Sequence, residues 1–262
     1  MITHDIGIIG GGNLGRSIAM GLLFSEKIKA TQITVTRRKT HLIEDLKAKG
    51  IKISNNNADA VKGKKVVLVA VEPHQAEKVL TDIKHEFNSD QILISVVTGI
   101  KISALKEFCG PDIHIFRVMP NTAIAIRESM TCIATHDDSA ANKDIVHSIF
   151  DQLGQTINIE EELMDASTVL AACGIAYALR FIRAASQGGI EIGFDSKTAQ
   201  LIAAQTVRGA AGLLIEGGEH PEYEIDKVTT PMGCTIAGLN EMEHQGFSSS
   251  LIKGILTSYN SI

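Results

Sequence analysis

The chain has 262 residues, of which 44% are hydrophobic and 21% charged, and its formal net charge is −5. That length suits two domains, and that balance is ordinary for a globular, soluble protein. The acidic charge leaves no basic footprint for nucleic acid, and 4% aromatics with no tryptophan leave no base-stacking platform.

The N-terminus runs straight into a strand pattern without a charged, apolar and cleavable leader, so the chain is expected to be cytoplasmic. Ile6–Ile9 is a short apolar strand, and residues 13–27 carry a helical pattern. Between them, Gly10-Gly11-Gly12-Asn13-Leu14-Gly15 fits G-x-G-x-x-G in the strand-to-helix context that a dinucleotide site requires. Gly10 permits the tight turn, Gly12 lets the backbone approach a pyrophosphate, and Gly15 lets the helix pack on the sheet. Asn13 and Leu14, at the helix start, complete the candidate contacts. The bland reading of the loop is a glycine-rich structural turn.

Ile33–Thr36 is a β-branched strand, and it ends in Thr36-Arg37-Arg38-Lys39. An NAD enzyme usually places Asp or Glu there to hold the ribose 2′-hydroxyl. Here three cations stand instead, which suits a 2′-phosphate and favours NADPH over NADH. A solvated basic turn is the alternative. A helix is expected over residues 40–49. Val66–Val71 is a continuous apolar run typical of a strand buried on both faces. A helix over 75–85, a strand at 92–96, a short helix near 102–108 and a strand at 114–118 follow. Weaker strands are expected near 131–134 and 156–159 with a helix between them.

Strands alternating with helices specify an α/β fold, a Rossmann-type doubly wound and mostly parallel sheet. The loops at the carboxyl ends of its strands face a cofactor. Candidate contacts there are Val71 and Pro73 after the third predicted strand, Thr98 and Gly99 after the fourth, and Asn121 after the fifth. Ordinary turn chemistry is the competing reading for Asn121 and its neighbours. Glu128, next to Arg127, reads as ion-paired structure.

The pattern changes at Glu160-Glu161-Glu162, which reads as an exposed acidic linker, and the domain boundary is placed there: residues 1–160 bind the cofactor and 161–262 are all-helical. Helices are expected over 163–192, 196–216, 234–245 and 248–260, while His220 before Pro221 reads as a turn and Asp165 as solvated or capping. So many small apolar residues with so little polar face point to burial against a second copy, a homodimer through the C-terminal helices, with docking onto the chain's own first domain as the alternative. The longest uncharged apolar stretch, 166–179, is short of the ~20 residues of a spanning helix, so no membrane partner is expected. Cys109, Cys132, Cys173 and Cys234 lack Cys-x-x-Cys spacing and read as free thiols, the last two as small buried filler. No His-Glu-x-x-His and no close histidine pair occurs, so no metal site is expected.

The segment Asp226–Leu239 reads as a turn feeding a helix N-terminus, where bare N–H groups would receive a small anion. Together with Ala70-Val71-Glu72-Pro73, Ser95–Ile100, Arg117–Thr122, Ala204-Gln205-Thr206, Gly209-Ala210-Ala211 and His220-Pro221-Glu222, it resembles the pyrroline-5-carboxylate reductase family over nearly the whole chain. The resemblance implies a Rossmann domain and a helical dimerisation domain, some members assembling further into rings of dimers, with an active site shared between cofactor cleft and helical domains. It implies NADPH-dependent reduction of a cyclic imino acid, 1-pyrroline-5-carboxylate, to L-proline. It also suggests Asn57 as a cofactor contact. The carboxylate is then expected at the N–H groups of Gly233, Cys234 and Thr235, with the Thr235 hydroxyl on the imine nitrogen as the catalytic group and Thr230 as a secondary contact. A plain helix cap is the other reading of Thr235. The chain departs from the family pattern at Glu72, where a lysine is usual, at Ala123, at Met232, where a glycine is usual, and at Ala171–Ile175, where two hydroxyls and a proline are lost. A reductase of another small imino or carbonyl acid, and a non-catalytic nucleotide sensor, remain as alternatives.

Overall fold

The computed structural model describes residues 1–262 except Pro111 and Asp138, and divides into two compact units, Met1–Cys173 with Ile262, and Gly174–Ser261. The first unit holds β1 (Ile6–Ile9), α1 (Asn13–Phe24), β2 (Ile33–Thr36), α2 (Glu44–Ala48), β3 (Lys52–Ser54), β4 (Val66–Val69), α3 (Pro73–Ile83), β5 (Ile92–Ser95), α4 (Ile102–Cys109), β6 (His114–Met119), β7 (Ser129–Thr135), α5 (Ala140–Phe150), β8 (Gly154–Asn158) and α6 (Met164–Ser167), which runs into a π-helical turn, Thr168–Cys173. The eight strands form one sheet in the order β3-β2-β1-β4-β5-β6-β7-β8. All neighbours are parallel except β6 and β7. The first six strands thus have the doubly wound order.

The sheet is buried on both faces because its central strands are mostly apolar and side chains alternate between the two faces. Ile8, Val35, Leu68, Ile94 and Phe116 pack under Ile18 and Leu22 of α1 and Val146 and Phe150 of α5. Ile9, Val67, Val69, Leu93 and Ile115 pack on the opposite side under Ala76 and Leu80 of α3 and Leu105 of α4.

Several expected elements shift for identifiable reasons. The first helix stops at Phe24, since the Ser25 hydroxyl donates to Leu22 O (2.6 Å) and Glu26 takes a left-handed φ of 58°. The helix expected over 40–49 is a 3₁₀ turn, Thr40–Ile43, followed by the single turn α2. Lys52–Ser54 is an edge strand the pattern does not announce. Glu161 is no exposed linker: its carboxylate accepts from Ile102 N (2.7 Å) and from Arg117 Nη1 (3.0 Å), with His136 Nε2 at 3.3 Å. Asp165 stands 4.0 Å from Arg117 Nη2. Glu128 forms no ion pair among the described residues, and Arg127 takes a left-handed φ of 61° that ends the 3₁₀ helix Thr122–Ile126.

Asp137 closes the turn after β7 by accepting from Ser139 N and Asn142 Nδ2, each at 2.9 Å, with His114 Nδ1 also at 2.9 Å. Burial alone would raise its pKa, but the bonds from Ser139, Asn142 and His114 outweigh it and hold the carboxyl below its ordinary value. A lowered folded pKa adds stability that is present above the unfolded value, ~3.9, and is lost as pH falls through the folded one. Asp137→Ala is therefore expected to cost ~1–3 kcal/mol near neutrality. In urea melts the gap to wild type should close below about pH 4; a gap that does not change with pH would reject this account.

The second unit contains α7 (Gly174–Glu191), α8 (Ser196–Gly217), α9 (Pro221–Val228), α10 (Cys234–His244) and α11 (Phe247–Tyr259). Asp195 caps α8 by accepting from Lys197 N and Thr198 N, each at 3.1 Å. His220 is not a loose turn residue: its Nδ1 accepts from Glu222 N (3.2 Å) and so caps α9, with Pro221 at the first helical position. Within the unit, Tyr177 donates to Ser258 (2.7 Å), and Phe181 meets Phe247 edge-to-face. Only Ala199 and Ala203 of α8 are buried, and no residue of α7, α9, α10 or α11 is. The helical stretch Glu161–Glu191 is, by length and composition, apolar enough to cross a membrane.

Candidate active site

The strand order reverses at β1, whose neighbours are β2 and β4, so the connections leaving β1 and β4 diverge and open a crevice at their carboxyl ends. The glycine loop lines it. Gly10 has a φ of +105°, and a Cβ there would stand 2.3 Å from Ala70 O, so this position admits only glycine. A Cβ on Gly15 would stand 2.1 Å from Gly10 O, which is what lets α1 lie against β1. Gly12 differs, because nothing lies within 4 Å of its Cβ position. It is the N-cap of α1 and has no side-chain cap, so the first N–H groups of that helix face open space. Backbone donors, a helix dipole and absent side chains fit the pyrophosphate of a dinucleotide. Asn13, at the first helical position, is exposed, and Leu14 is half-buried against the core.

The end of β2 is tied to this loop. Gly10 N and Gly11 N donate to Thr36 O (3.1 and 2.8 Å), and Arg37 Nη1 donates to Gly11 O (2.8 Å). The Thr36 hydroxyl is fully buried and donates to Asn57 Oδ1 (2.7 Å). Thr36, Arg37 and Asn57 are therefore brought together, with Thr36 acting as the brace for Asn57. Arg38 and Lys39 are exposed, and Arg37 keeps its remaining guanidinium donors. Arg37, Arg38 and Lys39 make the end of β2 cationic, which fits a 2′-phosphate, with Asp59 engaged by Ser54 Oγ (2.6 Å) at the end of the neighbouring strand.

On the other side of the crevice, Val71 is half-buried, its Cγ1 3.0 Å from where a Gly10 Cβ would stand, and Pro73 opens α3. Thr98 is half-buried, and Gly99 has a φ of +78° with open space around it. Asn121 is different from the expectation of a free contact. Its Oδ1 accepts from Ala123 N (3.0 Å), its Nδ2 donates to Ala171 O (3.2 Å), and the residue is only 7% exposed.

In the second unit, Thr230-Pro231-Met232-Gly233 form a turn closed by Gly233 N donating to Thr230 O (2.9 Å). Proline second and a left-handed residue third are the marks of a type II turn, whose third residue is ordinarily glycine. Met232 fills that position at φ 60° and is fully exposed. A Cβ on Gly233 would stand 2.6 Å from Thr230 Oγ1, so the turn holds Thr230 tightly over Gly233. Gly233 is the N-cap of α10 and its own N–H is spent in the turn. That removes it from the expected anion cradle and leaves the N–H groups of Cys234 and Thr235. Cys234 is exposed, not buried filler. Thr235 is the second helical residue rather than the cap, it is exposed, and its hydroxyl has no hydrogen-bond partner among the described residues. Among the described residues no cluster of His, Cys, Asp and Glu could hold a metal ion.

Residues 5–99 match the family model described as NADP oxidoreductase, coenzyme F420-dependent, and residues 161–262 match that described as pyrroline-5-carboxylate reductase dimerisation. Pyrroline-5-carboxylate reductase 1 of Dictyostelium discoideum is 49% identical over 98% of this chain, which spans only 49% of that relative's length. Pyrroline-5-carboxylate reductase 2 of the same organism is 44% identical, covering 98% of this chain and 91% of its own length. A solved pyrroline-5-carboxylate reductase from Coxiella burnetii superposes with a TM-score of 0.90 at 26% identity, over 99% of this chain and 97% of that one. The glycine loop, the Thr230–Gly233 turn and these matches over nearly the full length place one conclusion on the chain: it belongs to the pyrroline-5-carboxylate reductase family of oxidoreductases.

Proposed function

We propose that the protein uses NADPH to reduce the cyclic imine 1-pyrroline-5-carboxylate to L-proline. The bound nicotinamide supplies the hydride for the imine carbon. The glycine loop and the start of α1 hold the pyrophosphate, and Arg37 and Arg38 hold the 2′-phosphate. Asn57, braced by Thr36, adds a ribose-side contact; Val71, Pro73, Thr98 and Gly99 flank the nicotinamide side. The N–H groups of Cys234 and Thr235 bind the substrate carboxylate at the start of α10, which needs no cation. The Thr235 hydroxyl hydrogen-bonds the imine nitrogen, with Thr230 behind it. A threonine hydroxyl is a poor free acid, so the proton comes through it from water or arrives on an already protonated imine. The carrying observation is Thr235 itself, an exposed hydroxyl without a partner among the described residues, one position inside a helix that opens from the tight Thr230–Gly233 turn.

The bare apolar surfaces of α7–α11 support a homodimer through these helices. Leu179, Leu201, Leu213, Ile252 and Leu256 are all more than half exposed. A second copy covering them accounts for the apolar Glu161–Glu191 stretch as well as a lipid would.

The test is NADPH and NADH oxidation with pyrroline-5-carboxylate, followed by absorbance. Turnover with the imine and preference for NADPH are expected. The Arg37→Ala, Arg38→Ala double variant should lower the ratio of NADPH to NADH efficiency by ~tenfold or more, since each charge-assisted bond to phosphate contributes ~1.5–3 kcal/mol. A ratio that stays where it was sinks the 2′-phosphate assignment, and no cofactor oxidation with any cyclic imine sinks the reductase reading.

A further inference from the structure

Three residues at alternate positions along β6 and its exit grip the segment that follows β8. Arg117, 3% exposed, pairs with Glu161 at 3.0 Å and faces Asp165 at 4.0 Å. Met119 packs with Met164 in a small core that Ala171 and Ala172 join. Asn121 donates from Nδ2 to Ala171 O (3.2 Å). Positions 117, 119 and 121 share one side by the two-residue period of an extended strand. Their partners run in the same order along the chain, from Glu161 through Met164 to Ala171. The last grip falls inside the π-helical turn Thr168–Cys173. Wide turns of that kind are rare and are frequently found at functional sites.

The place of this turn follows from the sheet. The glycine loop and the Arg37–Arg38 corner lie on the β1–β2 half, which assigns the adenosine end of the cofactor to that half. The nicotinamide then lies toward β4, β5 and β6, whose carboxyl ends carry Val71, Thr98 and Asn121. A turn fastened to the carboxyl end of β6 flanks the reacting end of the site rather than the phosphate end.

We infer that Asn121 is a positioning residue that acts on the imine side of the reaction and not on the cofactor. Its carboxamide oxygen is fixed by Ala123 N at 3.0 Å, and its backbone N–H by Ser129 Oγ at 3.0 Å, so the amide points in one direction only. Through Ala171 it sets the position of the half-buried segment Ala171–Gly174, which carries no side-chain hydroxyl. The inference rests on the reductase reading given above.

Asn121→Asp isolates the relevant bond. An aspartate still accepts from Ala123 N, as a good cap should, but offers no donor to Ala171 O. Asn121→Ser keeps the cap acceptor and is too short to reach Ala171, which provides a second variant if the first folds poorly. Each is compared with wild type in steady-state assays and in hydrogen exchange of the Thr168–Cys173 amides. The expected result is a roughly tenfold rise in KM for pyrroline-5-carboxylate, with KM for NADPH within about twofold of wild type and faster exchange across the turn. A rise in KM for NADPH with the imine KM unchanged would make Asn121 a cofactor contact and overturn the inference. Unchanged exchange in both variants would also overturn it, because the turn would then not depend on this amide. Wild-type protein that oxidises no NADPH with the imine defeats the reductase reading alone, and the exchange experiment still decides whether Asn121 holds the turn.

Discussion

Glu161→Ala is expected to lower the unfolding free energy by about 3–5 kcal/mol, the cost typical of removing one partner from a buried ion pair. Arg117 is 3% exposed and lies on β6, in the middle of the sheet between β5 and β7. Its Nε already has no hydrogen-bond partner. Glu161 Oε1 is the 3.0 Å acceptor for Nη1, and Asp165, at 4.0 Å and 44% exposed, is too distant and too solvated to replace it. The same oxygen accepts from Ile102 N (2.7 Å) at the first residue of α4, whose N-cap Lys101 makes no side-chain cap. Losing Glu161 therefore strands a cation and an amide together. Urea unfolding at fixed protein concentration measures the loss, since a dimer's stability depends on concentration. The double variant Arg117→Met, Glu161→Ala should recover part of it, because no charge is then left buried without a partner. A single-variant loss under about 1 kcal/mol, the range of an exposed pair, would show that the pair is solvated in solution.

That pair also marks where sequence reading stops. The central strands are legible because burial on both faces favours unbroken apolar runs, as in Val66–Val69 and Ile92–Ile94. The glycine loop is legible because its constraint is local, with Gly10 and Gly15 excluded from carrying a Cβ by atoms close in the chain or on the next strand. Lys52–Ser54 escapes because a three-residue edge strand needs no apolar face. The helix Pro221–Val228 escapes because its apolar face is small, although His220-Pro221 is itself a cap followed by a first-turn proline. Glu160-Glu161-Glu162 looks like a solvated run, since nothing local announces an arginine 44 positions earlier in the chain. Asn121 and Gly233 show the same limit within the site. Both lie in the segments that the motifs mark, but only coordinates show that the Gly233 N–H closes a turn and that the Asn121 amide is engaged twice.

Thr235→Ala is expected to lower kcat/KM for pyrroline-5-carboxylate by at least tenfold, on the order of 1–3 kcal/mol in the transition state, while leaving stability almost unchanged. The two halves of this expectation come from the same geometry. Gly233, not Thr235, is the N-cap of α10, so the cost of about 1 kcal/mol for replacing a cap does not apply. Alanine is also the better helix former inside the first turn. The hydroxyl has no partner to lose among the described residues, so its removal strands nothing within the fold. What is lost is a donor and acceptor at the imine nitrogen, where a hydrogen bond strengthens as negative charge is drawn onto nitrogen during hydride arrival. Thr235→Ser keeps that group and should keep most of the activity, and Cys234→Ala, which leaves both backbone N–H groups in place, should change little. If Thr235→Ala turns over like wild type, the hydroxyl has no part in the reaction and the start of α10 serves only to bind the carboxylate. If it loses activity together with several kcal/mol of stability, the residue is structural after all, and the helix start is built on it rather than on Gly233.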